Sequence, residues 1–388
     1  MKILMLGWEL PPANSGGLGV ACYYLCRHLA DAGVAIDFVM PYDMPAAHKP
    51  LFMRVYAATN ELAPAIGAYD DWSHELSRQQ VSYHQKVEQL VAQYDYDAIH
   101  AHDWLTLQAG VHAKRLTGKP LVAHVHSTEY DRAGGGNGNP LVHEIEQTAL
   151  LMADRIVAVS NATKSQLVQR YGVPEKLIDV VYSASDADLV RTTPTAATTY
   201  EYLRKMQSRG YKIVVSLGRL TVQKGLVFLL KAAQRAIEHD PKLLFLIVGD
   251  GEQRNELISL SAELGISQNV IFTGFLRGKA WRDAYAIADM FIMSSVSEPY
   301  GLTALEAANA GTAILLTRQS GVSEVLRHTL QFDFWDTDKL ADYIVNLAAH
   351  DSLRYTLAVN ASREVRALNW QQAAQKLQRI YQTVSVPA

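Results

Sequence analysis

Cysteine is nearly absent from this chain: 388 residues carry two, Cys22 and Cys26. They stand four apart on one turn of an expected helix, among apolar neighbours, which excludes a disulfide-stapled scaffold and a cysteine-built metal centre. Both read as small buried hydrophobes in a reducing compartment. A basic excess is also lacking. Lys and Arg number 36 against 39 Asp and Glu, a net charge of −3, whereas a nucleic-acid surface calls for surplus positive charge. The first hundred residues hold 6 Lys and Arg against 11 Asp and Glu, which argues against docking on an anionic membrane. Long apolar runs are missing too; none approaches the ~20 residues that cross a bilayer. Met1–Gly7 is too short and too weakly flanked for a signal peptide. The cytoplasm is the expected location.

What is present is a soluble globular balance, 49% hydrophobic and 19% charged, at a length that suits two domains. In the first half, Lys2–Gly7, Ala35–Met40, Ala98–Ala101, Pro120–His126 and Arg155–Ser160 read as strands, with helical patterns such as Val20–Ala32 and Val81–Gln93 between them. Such alternation predicts a parallel sheet with helices on both faces. Around residues 191–199 the composition turns to Thr, Ala and Pro without an apolar period, as in a linker. The alternation then restarts with strands Lys212–Leu217, Leu243–Val248, Val270–Thr273, Met290–Ser294 and Ala313–Thr317. The expected organisation is an α/β pair of doubly wound, Rossmann-like domains, 1–190 and 211–369, joined by a linker at 191–210. Two such domains facing each other form a cleft lined by strand carboxyl ends. A last helix, about 370–388, follows the second domain.

Chemistry concentrates in the segment Ser297–Ala307. Glu298 and Glu306 lie eight positions apart, which on an unbroken helix is roughly 80° and about 12 Å. Pro299 and Gly301 break the chain between them, and a helix starts near Gly301 and stops at Gly311. Both carboxylates then face one elongated ligand. Beside Tyr300, the N–H groups of Gly301, Leu302 and Thr303 form a helix start that suits an anion. A ligand with hydroxyls at both ends and phosphate between them is a sugar nucleotide.

Other strand ends carry further candidates. After the first strand, Gly16 and Gly17 open a helix where a phosphate can approach closely. His124 and His126 share a face at the end of the fourth strand run. In His102-Asp103-Trp104, Asp103 either binds an acceptor hydroxyl or caps a helix, and Trp104 either stacks on a sugar ring or joins the core. Arg219 and Lys224, five apart at a strand end, suit a diphosphate. Gly249 and Gly274-Phe275-Leu276 keep two further loops tight. Asp186-Ala187-Asp188 has the form of a metal-binding pair but falls near the linker, so no metal ligand is assigned.

The segment with Glu298 and Glu306 resembles the Glu-x7-Glu motif of retaining glycosyltransferases with the GT-B fold, in the large family 4-type group that includes the glycogen synthases. Pro11-Pro12…Gly16-Gly17-Leu18, His102-Asp103-Trp104, His126, Arg219-x4-Lys224-Gly225 and Gly249 match that pattern in order. The resemblance implies that Glu298 meets the donor sugar's hydroxyls and Glu306 the nucleotide ribose. It implies that Arg219 and Lys224 grip the diphosphate, with Gly16 and Gly17 against it, and that His126 lies near the sugar. Gly249, Phe275 and Leu276 would line the base pocket, Asp103 and Trp104 the acceptor side, and the final helix would return to the first domain. Two departures stand out: Asn14 and Ser15 occupy the place of a family Lys, and Ser183–Asp186 replaces Asn-Gly-Val-Asp.

The expected activity is a retaining, metal-independent hexosyltransferase with no cofactor. Its donor is a nucleotide-diphosphate sugar such as UDP-glucose or ADP-glucose, and its acceptor a carbohydrate, first an α-glucan. The alternatives are transfer to a lipid or small molecule, a sugar-nucleotide 2-epimerase, which needs a different acidic set, and a non-catalytic sensor, which the presence of Arg219 and Lys224 disfavours.

Overall fold

The apolar runs assemble into two parallel sheets. The structure, a computed structural model, describes residues 1–13, 16–62, 74–185 and 198–385. It divides into two compact units. The first comprises Met1–Glu129, Asn137–Ser183 and Trp370–Ala388, the second Tyr130–Gly136 and Ala184–Asn369.

The first unit holds seven strands: β1 (Lys2–Leu6), β2 (Ala35–Met40), β3 (Arg54–Ala57), β4 (Ala98–His102), β5 (Leu121–Val125), β6 (Arg155–Ala158) and β7 (Ile178–Val180). Their order is β3-β2-β1-β4-β5-β6-β7, all parallel. Ile3, Leu4, Met5 and Leu6 are fully buried, as expected of a central strand covered on both faces. A completely buried charge, Asp37, lies on β2. Its oxygens are met by Arg54 Nε at 2.6 Å, Arg54 Nη2 at 2.8 Å, the Tyr96 hydroxyl at 2.8 Å and Lys2 Nζ at 3.2 Å. Such pairing is what a buried carboxylate requires. The helix Trp370–Ser385 packs on this unit: Trp370 stacks on Tyr24 with centroids 5.6 Å apart, and Leu377 and Tyr381 are fully buried.

The second unit holds β8 (Lys212–Leu217), β9 (Leu243–Val248), β10 (Val270–Gly274), β11 (Met290–Met293), β12 (Ala313–Thr317) and β13 (Leu330–Phe332), in the parallel order β10-β9-β8-β11-β12-β13. Its core is built from the sheet with the helices Leu226–His239 and Thr337–Ala349. Residues 198–207, within the segment expected as linker, form the helix Thr198–Gln207. It is anchored by the Tyr200 hydroxyl on the Ala280 carbonyl and by Gln207 Nε2 on Asp289 at 2.9 Å. The linker residues before it lie outside the described residues, as do Asp186, Asp188, Asn14 and Ser15. Among the described residues no helix is long and apolar enough to cross a membrane.

Candidate functional site

In parallel α/β sheets the loops leaving the strand carboxyl ends carry the ligands. In the second unit, the loops after β8 and β11 border a small cavity open to solvent, lined by Gly218, Arg219, Lys224, Ser294, Glu298 and Thr303 among others. The chain is stitched tightly here. Val296 N–H donates to the Gln223 carbonyl at 2.8 Å, and Ser294 Oγ donates to the Lys224 carbonyl at 2.9 Å. Gly225 has φ +62°, and a Cβ there would stand 2.2 Å from the Ser294 carbonyl oxygen, so only glycine can follow Lys224 in this path.

Lys224 Nζ donates to Glu298 Oε2 at 2.5 Å, and Ser295 Oγ donates to the same oxygen at 3.0 Å. Glu298 is 9% exposed, and these two donors compensate its burial. Its loop is fixed by Glu298 N–H on the Gln319 carbonyl and by Gly321 N–H on the Glu298 carbonyl. Gly301, at φ +111°, then turns the chain into the helix Leu302–Asn309. A Cβ at Gly301 would lie 3.0 Å from the Met293 sulfur. The first N–H groups of this helix have no intrahelical acceptor, as at any helix start, and they carry its positive end. Thr303, at that start, lines the cavity with the two cations.

Glu306 lies one turn further on, 8% exposed, and its Oε2 accepts from the Tyr285 hydroxyl at 2.8 Å. Burial pushes its carboxyl up to about 8, the tyrosine bond offsetting part of the rise. Glu306 is therefore largely protonated at neutral pH. Gly249 N–H donates to the Gly274 carbonyl at 3.0 Å, joining the loops after β9 and β10. Beside them Phe275 is exposed, with the Arg277 guanidinium 5.1 Å from its ring centroid, and Leu276 is half-buried.

In the first unit, Gly16 and Gly17 stand where expected, at the start of the helix Gly17–Asp31. The first turn of that helix is met by a side chain: Glu9, 4% exposed, accepts from Gly19 N–H at 3.2 Å through Oε1. A carboxylate of the chain itself thus sits where an anion was expected.

The ends of β4 and β5 bring four imidazoles together. Ring centroids lie 4.5 Å apart for His100 and His102, 5.0 Å for His102 and His124, and 4.2 Å for His124 and His126. His100 Nδ1 meets the Tyr381 hydroxyl at 2.5 Å and His100 Nε2 meets His124 Nδ1 at 3.2 Å. His102 Nδ1 meets His126 Nε2 at 2.9 Å, and His102 Nε2 meets the Met5 sulfur at 3.1 Å. His124 Nε2 is buried without a partner among the described residues. Burial holds all four well below the usual imidazole range, His100 and His126 at about 3. The cluster is neutral.

Ligating atoms of Cys22, His102 and His126, and of His100, His102 and His124, lie within 4.8 Å of one another. The rings of the second set are nearly parallel, at 15–29°. Within it His100 Nε2 and His124 Nδ1 already face each other at 3.2 Å in a hydrogen bond. In the first set the nitrogens of His102 and His126 face each other. The cluster is a hydrogen-bonded stack, and its donor set has no formed metal geometry.

Asp103 does not cap the helix Trp104–Thr117; its Oδ1 accepts from the main-chain N–H of His126 at 2.6 Å and of Ser127 at 3.3 Å. Trp104 is 6% exposed, so its indole lies in the core of the unit.

Two family models match the chain: Glycosyltransferase Family 4 over residues 15–189 and Glycosyl transferases group 1 over residues 201–363. An uncharacterized glycosyltransferase of Methanocaldococcus jannaschii is 28% identical over 391 residues, covering 98% of both chains. D-inositol 3-phosphate glycosyltransferase of Rhodococcus opacus is 30% identical over 306 residues, 75% of this chain and 68% of that one. The chain belongs to the glycosyltransferases of family 4. Solved structures agree on the GT-B fold: sucrose-phosphate synthase from Thermosynechococcus elongatus superposes with a TM-score of 0.82 at 20% identity over 98% of both chains. HepE of Anabaena in complex with UDP-glucose does so with a TM-score of 0.74 at 21% identity, covering 99% of this chain and 100% of that one.

The transferase thus gathers Arg219, Lys224, Glu298 and Thr303 around one cavity, with Glu306 on the helix that starts there, and gathers His126, His102 and Asp103 at the ends of β4 and β5. Three residues of these sites escaped the sequence reading, and a fourth, His102, entered it only as part of His102-Asp103-Trp104. Ser295 and Tyr285 hold the two glutamates, Glu9 meets the glycine helix, and His102 meets His126. Only His102 carried a local signal, since period two places it on the face of His100 and beside the equivalent positions of the next strand.

Proposed function

We propose that the transferase is a retaining, metal-independent hexosyltransferase that moves glucose from a nucleotide-diphosphate sugar to a carbohydrate acceptor, an α-glucan first. The observation that carries this reading is the cavity of the second unit. It puts two cations, a buried carboxylate and a helix start around one space. Arg219, Lys224 and the first N–H groups of the helix Leu302–Asn309 stabilise the charge that grows on the leaving diphosphate, where preorganised donors act most strongly. Glu298 binds the sugar hydroxyls, Glu306 the ribose, and His126 stands by the sugar, as the family pattern implies. The bond from sugar C1 to phosphate oxygen breaks, and the acceptor oxygen bonds to C1 on the same face. Its proton passes to a leaving phosphate oxygen. The UDP-glucose carried by the Anabaena protein supports a uridine or related donor.

The relationship to D-inositol 3-phosphate glycosyltransferase favours a second reading, in which the acceptor is a phosphorylated small molecule. Incubating UDP-glucose and ADP-glucose separately with glycogen oligosaccharides and with inositol 3-phosphate, and separating the products, tests both. Nucleotide diphosphate released with a glucosylated oligosaccharide is the expected result. Transfer to inositol 3-phosphate alone selects the second reading, and no sugar transfer from either donor overturns the first.

A further inference from the structure

This inference rests on the reading that His126 serves the reaction. Asp103 is the one non-glycine residue with a positive φ among the described residues, at φ 55° and ψ 174°. A side chain is strained there, and such strain persists only where the surroundings impose it. They do so on every side. Asp103 N–H donates to the His124 carbonyl at 3.0 Å, and the Asp103 carbonyl accepts from Thr106 N–H at 3.1 Å. Thr106 Oγ1 donates to the His102 carbonyl at 2.7 Å.

The turn so fixed aims the carboxylate at the exit of the next strand. The 2.6 Å contact from His126 N–H is short, as befits a bond to a charged acceptor. The preceding residue, His102, holds the His126 ring by Nδ1 at 2.9 Å. Two consecutive residues at the end of β4 therefore fix His126, one by its main chain and one by its imidazole.

We propose that Asp103 is a positioning residue, whose carboxylate fixes the main chain at His126 and Ser127 so that His126 meets the sugar in register, instead of binding an acceptor hydroxyl. Asp103→Asn keeps an oxygen that accepts from the same N–H groups and tolerates the positive φ. Asp103→Ala loses the acceptor and keeps the strain, while Asp103→Gly loses the acceptor and relieves it. Two rates are measured with UDP-glucose, transfer to an oligosaccharide and hydrolysis by water. Alongside them the His126 amide is followed by NMR in protein labelled with 15N-histidine, assigned through His126→Asn.

In Asp103→Ala and Asp103→Gly, hydrolysis and transfer should fall together by about tenfold to a hundredfold, the cost of a small misplacement. Asp103→Asn should stay within about threefold. The His126 amide proton should resonate far downfield in the parent and in Asp103→Asn, and move upfield in the other two. Asp103→Gly keeps the test open if the strained Asp103→Ala fails to fold. The proposal is overturned if hydrolysis is spared while transfer falls, which marks an acceptor contact. It is equally overturned if Asp103→Asn falls as far as Asp103→Ala, or if the amide does not move. A parent protein that cleaves neither UDP-glucose nor ADP-glucose counts against the proposed function alone, and the amide shift still decides the role of Asp103.

Discussion

Lys224 and Glu298 hold each other at 2.5 Å, so neither residue can be removed without leaving the other altered. Lys224→Ala strips the buried Glu298 of its charged partner and leaves it Ser295 alone. In the proposed reaction the larger loss is catalytic, because there the ammonium faces a phosphate whose charge grows as the bond breaks. We expect kcat to fall about a hundredfold or more. On the proposed ribose role of Glu306, Glu306→Ala removes a contact that is alike in ground and transition states, so it should chiefly raise the donor KM. Steady-state kinetics showing the reverse split would exchange the two roles. Glu306 also predicts a pH dependence. Its carboxyl, raised to about 8 by burial, must ionise to accept from two ribose hydroxyls. Below that value each unit of rising pH should lower the donor KM roughly tenfold, levelling off above it. Glu306→Gln should flatten the profile. A donor KM independent of pH between 6 and 9 in the parent protein would remove Glu306 from the ribose site.

The ends of β4 and β5 set how the fold responds to acid. Four imidazoles are buried neutral there, while in the unfolded chain each takes up a proton near 6.5. A depressed folded value gives stability that is present above 6.5 and lost as pH falls, at about 1.4 kcal/mol per histidine per pH unit. Glu306 acts with the opposite sign. Its raised value makes its share of stability largest below 4.5 and lost as pH rises through about 8. Between 6.5 and 4.5 the histidines outnumber the one carboxyl, so the melting temperature should fall steeply with acid, and more steeply in Glu306→Gln. A melting temperature that stays level across this window would mean that the imidazoles are solvated. The same elements mark what the sequence could reveal. Strands covered on both faces, β2, β8, β9 and β12, were legible to the residue because they are mostly apolar, with Asp37 in β2 and Ser216 in β8 too few to break the pattern. The edge strands β3, β7 and β13 were not, being three or four residues long and half-covered. The helix Thr198–Gln207 was hidden in a Thr- and Ala-rich segment, although Tyr200 and Leu203 bury its inner face. Site residues on strand ends showed themselves through glycine, histidine and paired cations. Their pairings did not, because Glu9 reaches 10 residues along the chain, Tyr285 21 and Asp103 23, and no local period records such contacts.

At the scale of the whole molecule, the family assignment and the charges of the second unit make a joint claim about the reaction. Arg219, Lys224 and a helix start already supply positive charge around the cavity. Transfer should therefore survive EDTA largely intact, and activity abolished by chelation and restored only by a divalent ion would contradict the proposed mechanism. The proposed mechanism also sets a stereochemical course. A double-displacement reaction needs a carboxylate free to attack the sugar carbon from the face opposite the phosphate. Glu298 is held by Lys224 and Ser295 on one and the same oxygen, and Glu306 is buried against Tyr285 and largely protonated. The proposed reaction uses neither as a nucleophile; in it, the cations keep the departing diphosphate on the face from which the bond broke. An acceptor hydroxyl that gives its proton to that phosphate must arrive on the same face. An α-linked donor should then yield an α-linked product, read from the anomeric proton by NMR in the first product formed, before any exchange at the reducing end. A β-linked first product would place the attack on the opposite face and overturn the assignment of retention.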